Sequence, residues 1–171
     1  MAMVADYERP EQKCAMLMQG YQISALGVRP MVCPKFPGAA ADIPSQWVVA
    51  VSVPTTYAGY LPTVAELQGR DLHLLGGHPD QFVVLMRRYN ASRIISVDSS
   101  AMFLKAQFGA YWEPRRNDWQ YVDKGAESTH SLIERSAVNI ARYLTNPPRF
   151  VKLNRRVMAS GYNVQPALFA A

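Results

Sequence analysis

The sequence is poor in cysteine, in long apolar runs and, near its end, in acidic residues. Its two cysteines, Cys14 and Cys33, are too few for a disulfide framework, and neither has the paired ligands of a structural zinc site. The longest uninterrupted apolar runs, Trp47 to Val51 among them, are far shorter than the roughly 20 residues that span a membrane. We therefore expect no metal, no cofactor, no membrane association and a cytoplasmic protein.

The composition is that of one ordinary globular chain. Hydrophobic residues make up 49% and charged residues 18% of 171 residues, enough to bury a core. The net charge is +5, from 18 basic and 13 acidic residues, which is compatible with a polyanionic partner. No acid follows Glu134, whereas several arginines and a lysine do.

The middle of the chain alternates strands and helices. The valine-rich run 47–53 is almost continuously apolar, which is typical of a strand covered on both faces of a parallel sheet, and the segments 71–75 and 93–97 are the next predicted strands. Helices are predicted between and after them at 64–68, 79–89 and about 100–108. The pattern predicts the α/β class, built from parallel βαβ units.

We divide the chain into three segments. Residues 1–46 hold a short helix over 9–19, ended by Gly20, and a proline-rich connector over 28–46. Residues 47–146 form the α/β core. This core includes an aromatic loop over 111–125, in which a short strand is predicted at 119–122. It also includes a helix over 128–145, which Ser128 or Thr129 can cap. Residues 147–171 are a basic segment expected to pack on that core.

Loops that leave the carboxyl ends of parallel strands usually carry function, and two loops qualify here. Asp98 directly follows an apolar strand and precedes a helix start, where amide N–H groups favour an ionised carboxylate. Such a carboxylate can attack an electrophilic sugar carbon. The alternative is that Asp98 only caps the following helix.

The second loop runs from His73 to Pro79. Its two glycines, Gly76 and Gly77, let the backbone approach a flat ligand or a phosphate, although a plain strand-to-helix turn also uses glycine. His78 lies at the loop end and is a candidate for substrate contact. His73 lies inside the strand, where a buried, hydrogen-bonded histidine is the simpler interpretation.

The segment LHLLGGHPDQFVVLMRRY, followed by IISVDSSAMFLKAQFGAYW, resembles the tRNA-guanine transglycosylases, above all the archaeal type and the related enzymes that insert deazaguanines into DNA. The likeness covers about residues 47–112. It implies part of a TIM barrel and makes Asp98 the nucleophile that displaces guanine. The first motif falls on Gly76, Gly77, His78 and Pro79, one spacer residue short, and the second on Asp98 and Ser99. The strand over 47–53 matches the family's preceding strand, whose loop helps to hold the incoming base, and the matching residues there are Ser52, Val53 and Tyr57. His73 is a further candidate for substrate binding.

Three features depart from that family. The zinc-binding cysteine cluster is absent, and no Asp-Ser-Gly motif occurs in residues 1–46 to supply a second carboxylate. Four acids remain open for that role: Asp6, Asp42, Asp71 and Asp80. A complete barrel takes about 250 residues, so this chain would form an incomplete barrel or complete one with a second copy or another subunit.

The predicted function is base exchange in DNA or tRNA, with guanine replaced by a 7-deazaguanine, and phage-encoded enzymes are an expected source. Phosphates would be held by Arg87, Arg88, Arg115, Arg116, Arg155 and Arg156, with Trp112 and Trp119 available for stacking. Solvated arginines and core tryptophans are the alternative interpretation. The alternative function is a non-catalytic nucleic-acid-binding or assembly protein on the same scaffold.

Overall fold

A parallel sheet forms the centre of the computed structural model, which describes residues 1–53, 60–116, 118–123 and 125–146. Within these ranges the strands are β1 (Ala2–Met3), β2 (Pro30–Val32), β3 (Val48–Ser52), β4 (Asp71–Leu75), β5 (Arg93–Asp98), β6 (Ala110–Glu113) and β7 (Asp118–Tyr121). The α-helices are α1 (Lys13–Ala25), α2 (Val64–Leu67), α3 (Pro79–Arg88), α4 (Ala101–Gln107) and α5 (Thr129–Thr145). The α/β class predicted from the sequence is confirmed.

The five-stranded sheet has the order β1-β2-β3-β4-β5, and each neighbouring pair is parallel. Every strand therefore lies beside the strand that precedes it in the sequence. Because all five strands run in one direction, their carboxyl ends meet at a single edge. This carboxyl edge collects the segments that follow β1 to β5.

The main core covers one face of the sheet. Valines of β3 and leucines of β4 point into it, and helices α1, α2 and α3 contribute buried apolar side chains. A smaller cluster of Met31, Cys33, Val48 and Ala50 lies on the other face, beside Leu75 and Ile95. β3 is thus buried on both faces, which explains why Val48 to Val51 form an uninterrupted apolar run.

The last strands form a separate antiparallel hairpin. β6 pairs with β7, and Trp112 lies directly opposite Trp119. Both tryptophans pack with Ala110 and with Ile140 of α5. The sequence predicts a long loop here with one short strand, whereas the structure has two four-residue strands, which are too short to give a clear periodicity.

The N-terminal segment differs most from expectation. The predicted helix over 9–19 continues to Ala25, and Gly20 lies inside it rather than ending it. A Cβ at Gly20 would overlap the ring of Trp47, so the glycine allows close packing of helix on core. The sheet also crosses the boundary drawn at residue 46, since β2 pairs with β3. The segment 147–171 lies outside the described residues.

Candidate functional site

Asp98 ends β5 at the carboxyl edge, and 58% of its side chain is exposed. Its Oδ1 accepts a hydrogen bond of 2.9 Å from the amide of Gly76, in the loop that follows the neighbouring strand. The helix-capping interaction belongs to Ser99, whose Oγ accepts from the Ala101 amide at 3.1 Å and donates to the Gly77 carbonyl at 2.6 Å. The Asp98 carboxylate is therefore held from the side and open to solvent.

A line of polar side chains runs from Asp98 into the sheet. His73 is 6% exposed, and its Nε2 lies 3.4 Å from Asp98 Oδ2. At the other side of the ring, Nδ1 lies 2.7 Å from the hydroxyl of Ser96. The register explains the arrangement, because His73 pairs with Ser96 and Leu75 pairs with Asp98. Ser96 was missed in the sequence, although it lies two residues before Asp98 and shares its face of β5.

The order of burial along this line shows which of its members is most open to solvent. In a serine hydrolase the serine faces the substrate, and the carboxylate is buried behind the histidine. Here the carboxylate is the most exposed member, and the histidine lies beneath it. The arrangement therefore presents a carboxylate, not a hydroxyl, to a ligand at the sheet edge.

The loop after β4 depends on its glycines. Gly76 and Gly77 have φ angles of +70° and +96°, a region that side chains with a Cβ disfavour. A Cβ at Gly77 would also overlap Val53, which follows β3. The tight loop brings the Gly76 amide to Asp98 and the Gly77 carbonyl to Ser99.

His78 is engaged with the hairpin. Its Nε2 accepts a hydrogen bond of 3.0 Å from Trp119 Nε1, and its Nδ1 lies 3.6 Å from the carboxylate of Asp80. The ring also packs edge-on against Trp112, with 4.7 Å between centroids. Both ring nitrogens thus have protein partners, so His78 joins the loop to β6 and β7 rather than presenting a free nitrogen.

A second polar group lies further along the same edge. Lys35 Nζ is 3.4 Å from Asp6 Oδ2 and 3.4 Å from Ser52 Oγ, which links the segments after β1 and β2 to the last residue of β3. Burial alone would lower the pKa of the Lys35 amine, but Cys33 and Asp6 outweigh it and the pKa is raised. Lys35 was missed because it lies in a proline-rich stretch that the sequence analysis treated as a connector.

The group around Lys35 and the group around Asp98 lie on opposite sides of the end of β4. Ser52 pairs with Leu75, and Leu75 pairs with Asp98, so the three residues form one row of the sheet. Two strand spacings separate Ser52 from Asp98 by roughly 10 Å between Cα atoms. Leu75 lies between them and provides an apolar surface.

The other acids that were weighed as a second carboxylate have different surroundings. Asp42 is bound by the Tyr7 hydroxyl and by Lys13, and these hydrogen bonds lower its pKa. Asp71 starts β4, at the opposite edge of the sheet from Asp98. Asp80 is 4% exposed and accepts a hydrogen bond from Tyr143 at 2.8 Å. Asp6 is left as the partly exposed acid at the carboxyl edge.

The predicted nucleic-acid contacts are dispersed. Arg87 and Arg88 lie at the end of α3, roughly 15 Å from its start at the carboxyl edge. Arg115 and Arg116 lie in the turn between β6 and β7, beside an open groove of about 460 Å³. Trp112 is 0% exposed, so a base cannot stack on it in this conformation. Tyr57, Arg155 and Arg156 lie outside the described residues.

A protein-family model described as a family of unknown function, DUF6610, matches residues 1–145. This range runs from before β1 to the last residue of α5. The chain belongs to the DUF6610 family. No curated protein and no solved structure matches the DUF6610 chain.

Two further observations concern the parts of the DUF6610 chain that the structure describes. No helix in them combines the length and the apolar character needed to cross a membrane. In the same ranges, no three His, Cys, Asp or Glu side chains come together as a possible metal site.

Proposed function

We propose that this chain exchanges a base at the anomeric carbon of a nucleotide in DNA or tRNA, with Asp98 as the nucleophile. The observation that carries the proposal is the exposed Asp98 carboxylate, which is held at the carboxyl edge by the Gly76 amide and is not used to cap the helix that follows, since Ser99 has that contact. A fixed carboxylate with free lone pairs suits attack on an electrophilic sugar carbon. The motif resemblance adds that the displaced base is guanine and the incoming base a 7-deazaguanine.

The proposed reaction has two displacements at one carbon. In the first, an Asp98 oxygen bonds to C1′ while the bond from C1′ to guanine N9 breaks, and guanine leaves with the electron pair and takes up a proton from solvent. In the second, the corresponding nitrogen of the deazaguanine attacks C1′ and loses its proton, and the ester bond to Asp98 breaks. Both steps pass through an oxocarbenium-like state, as in retaining glycosidases. The target base must leave its stack.

Base recognition is assigned to the polar group on the far side of Leu75. The Asp6 carboxylate lies beside the Lys35 ammonium, and such a carboxylate accepts hydrogen bonds from the N–H groups of a guanine edge. The spacing of roughly 10 Å between Ser52 and Asp98 suits a nucleoside whose base lies over Leu75. Asp6 thus supplies the second carboxylate, which the transglycosylases take from their Asp-Ser-Gly motif.

The finer architecture is part of the same proposal. A parallel sheet whose strands follow each other in sequence order is the arrangement found in a (β/α) barrel, so the order β1 to β5 supports an incomplete barrel. A second copy or another subunit would complete it. The proposed phosphate contacts on the β6–β7 hairpin are Arg115 and Arg116, and this hairpin packs against His78 through Trp112.

An exchange assay tests the proposal. The protein is incubated with radiolabelled guanine or a labelled 7-deazaguanine and with duplex DNA, single-stranded DNA or tRNA in separate reactions. We expect label in one polymer, its loss in Asp98→Asn, and its retention in the control Asp123→Asn, which removes an exposed carboxylate elsewhere. Salt-sensitive polymer binding without exchange would instead favour the non-catalytic nucleic-acid-binding protein.

A further inference from the structure

The buried ring of His73 has one nitrogen whose role the proposed reaction leaves unexplained. Nε2 is buried and makes no hydrogen bond of good geometry, yet it points toward Asp98 Oδ2 at 3.4 Å. An unsatisfied buried polar atom is costly, and such atoms concentrate where a ligand or a reacting group completes them. The other nitrogen is satisfied by Ser96 at 2.7 Å.

The tautomer of His73 follows from these two contacts. A bare Nε2 lone pair directed at a carboxylate oxygen would be repelled, whereas an Nε2–H group is attracted to it. With the proton on Nε2, Nδ1 is an acceptor, and the Ser96 hydroxyl can donate to it. A hydroxyl can donate or accept, so the Asp98 carboxylate is the contact that favours the proton on Nε2, and Ser96 supports this tautomer by donating to Nδ1.

We infer that His73 is the positioning residue of Asp98, and that the Ser96 hydroxyl supports the tautomer with its proton on Nε2. This inference rests on the proposed function of Asp98. Gly76 N–H holds Oδ1 from one side and the His73 N–H approaches Oδ2 from below, which fixes the plane of the carboxylate. Hydrogen bonds between catalytic groups are often long in enzymes without substrate and shorten when substrate binds.

The tautomer can be measured without any substrate. Nitrogen-15 NMR of the full chain distinguishes Nε2–H from Nδ1–H in each of the three histidines. His78 is an internal reference, because Trp119 donates to its Nε2 and so places its proton on Nδ1. We expect opposite tautomers for His73 and His78, and a partial loss of the Nε2–H form of His73 in Ser96→Ala. An Nδ1–H tautomer at His73 would overturn the inference.

Two substitutions separate positioning from packing. His73→Gln keeps an N–H group near the position of Nε2. His73→Asn has a shorter side chain, whose amide group reaches only the position of Nδ1, beside Ser96. We expect His73→Asn to lower kcat about a hundredfold with little change in KM, because a carboxylate misplaced by about an ångström reacts poorly. His73→Gln should recover at least a tenth of the wild-type kcat. Equal kcat values for the two variants and the wild type would contradict a positioning role.

The experiments distinguish a failure of the proposed function from a failure of the positioning role of His73. If the wild-type chain exchanges no base in any polymer, the proposed function is wrong, and the NMR tautomer still decides how His73 faces Asp98. If exchange occurs and depends on Asp98 but not on the choice between Gln and Asn at position 73, the proposed function stands and the positioning role is wrong.

Discussion

Two aspartates on neighbouring strands illustrate how surroundings separate a structural carboxylate from an available one. Asp71 starts β4 and receives hydrogen bonds from Arg93 at 2.6 and 2.7 Å and an ion pair from Arg29. The hydrogen bonds from Arg93 and the charge of Arg29 outweigh burial and hold the pKa of Asp71 well below its usual range. Asp98 ends β5 with one backbone N–H donor to its exposed carboxylate. Only the second carboxylate has room for a ligand.

The first prediction compares the two carboxylates by stability. Asp98→Asn keeps an acceptor for the Gly76 amide but turns its NH2 group toward His73 Nε2, so on this exposed side chain we expect the free energy of unfolding to change by less than about 1 kcal/mol. Asp71→Asn leaves two arginines without their charged partner and should cost about 1–3 kcal/mol. Urea unfolding followed by circular dichroism measures both. A larger loss for Asp98→Asn than for Asp71→Asn would contradict this assignment of roles.

The sequence pointed to Asp98, Gly76 and His73 as site residues, but not to the contacts between them. The strand-then-small-residue pattern placed Asp98 at the carboxyl edge, and the structure has it there. The contacts that hold it come from residues distant in sequence, such as the amide of Gly76 and the ring of His73. Lys35 and Asp6 meet only because β1 and β2 are adjacent in the sheet. Tertiary pairing of this kind leaves no local signal in one sequence.

At the scale of elements, predictability followed the length of the apolar run. β3, β4 and β5 have five or six residues each and were predicted within one or two residues of their ends. β1 and β2 have two and three residues, and β2 begins at Pro30, so no strand pattern could emerge. The end of α1 was misplaced because Gly20 serves packing there and not termination.

The second prediction tests that packing. Gly20→Ala improves the intrinsic helix propensity of α1, but its methyl group would overlap the ring of Trp47, which is 1% exposed. We expect a net loss of about 1–3 kcal/mol in the free energy of unfolding, as for other overpacked cores. Tryptophan fluorescence in a urea titration reports it. The control Gln22→Ala, on the exposed surface of α1, should leave stability nearly unchanged, and equal effects of the two would refute the packing role.

At the scale of the whole molecule, ionic contacts fasten the chain away from the candidate site. Asp71 links the segment before β2 with the starts of β4 and β5 at the amino edge. Glu66 accepts hydrogen bonds from the Gly38 amide, the Tyr60 hydroxyl and Thr63. Burial raises the pKa of Glu66, but these hydrogen bonds outweigh it and lower the pKa to about 2.

The third prediction concerns acid. A carboxylate with a lowered folded-state pKa stabilises the protein above its unfolded pKa, and this stabilisation is lost as the pH falls through the folded value. For Glu66 the loss should occur between about pH 4.5 and about pH 2, and Asp71 adds a loss in the same direction. Urea midpoints measured from pH 6 to pH 2 should fall less steeply for Glu66→Gln than for the wild type. Parallel curves would show that Glu66 is not responsible.

The central claim, that Asp98 is a nucleophile, is tested most directly by trapping its ester. The protein is mixed with the polymer that supports exchange, without an incoming base, quenched in acid and digested with protease and nuclease. Mass spectrometry of the peptide that contains Asp98 should show the added mass of a nucleotide sugar without its base. The account predicts this adduct on Asp98 in the wild type and in Asp123→Asn, and its absence in Asp98→Asn. An adduct on another residue, or base exchange that persists in Asp98→Asn, would contradict it.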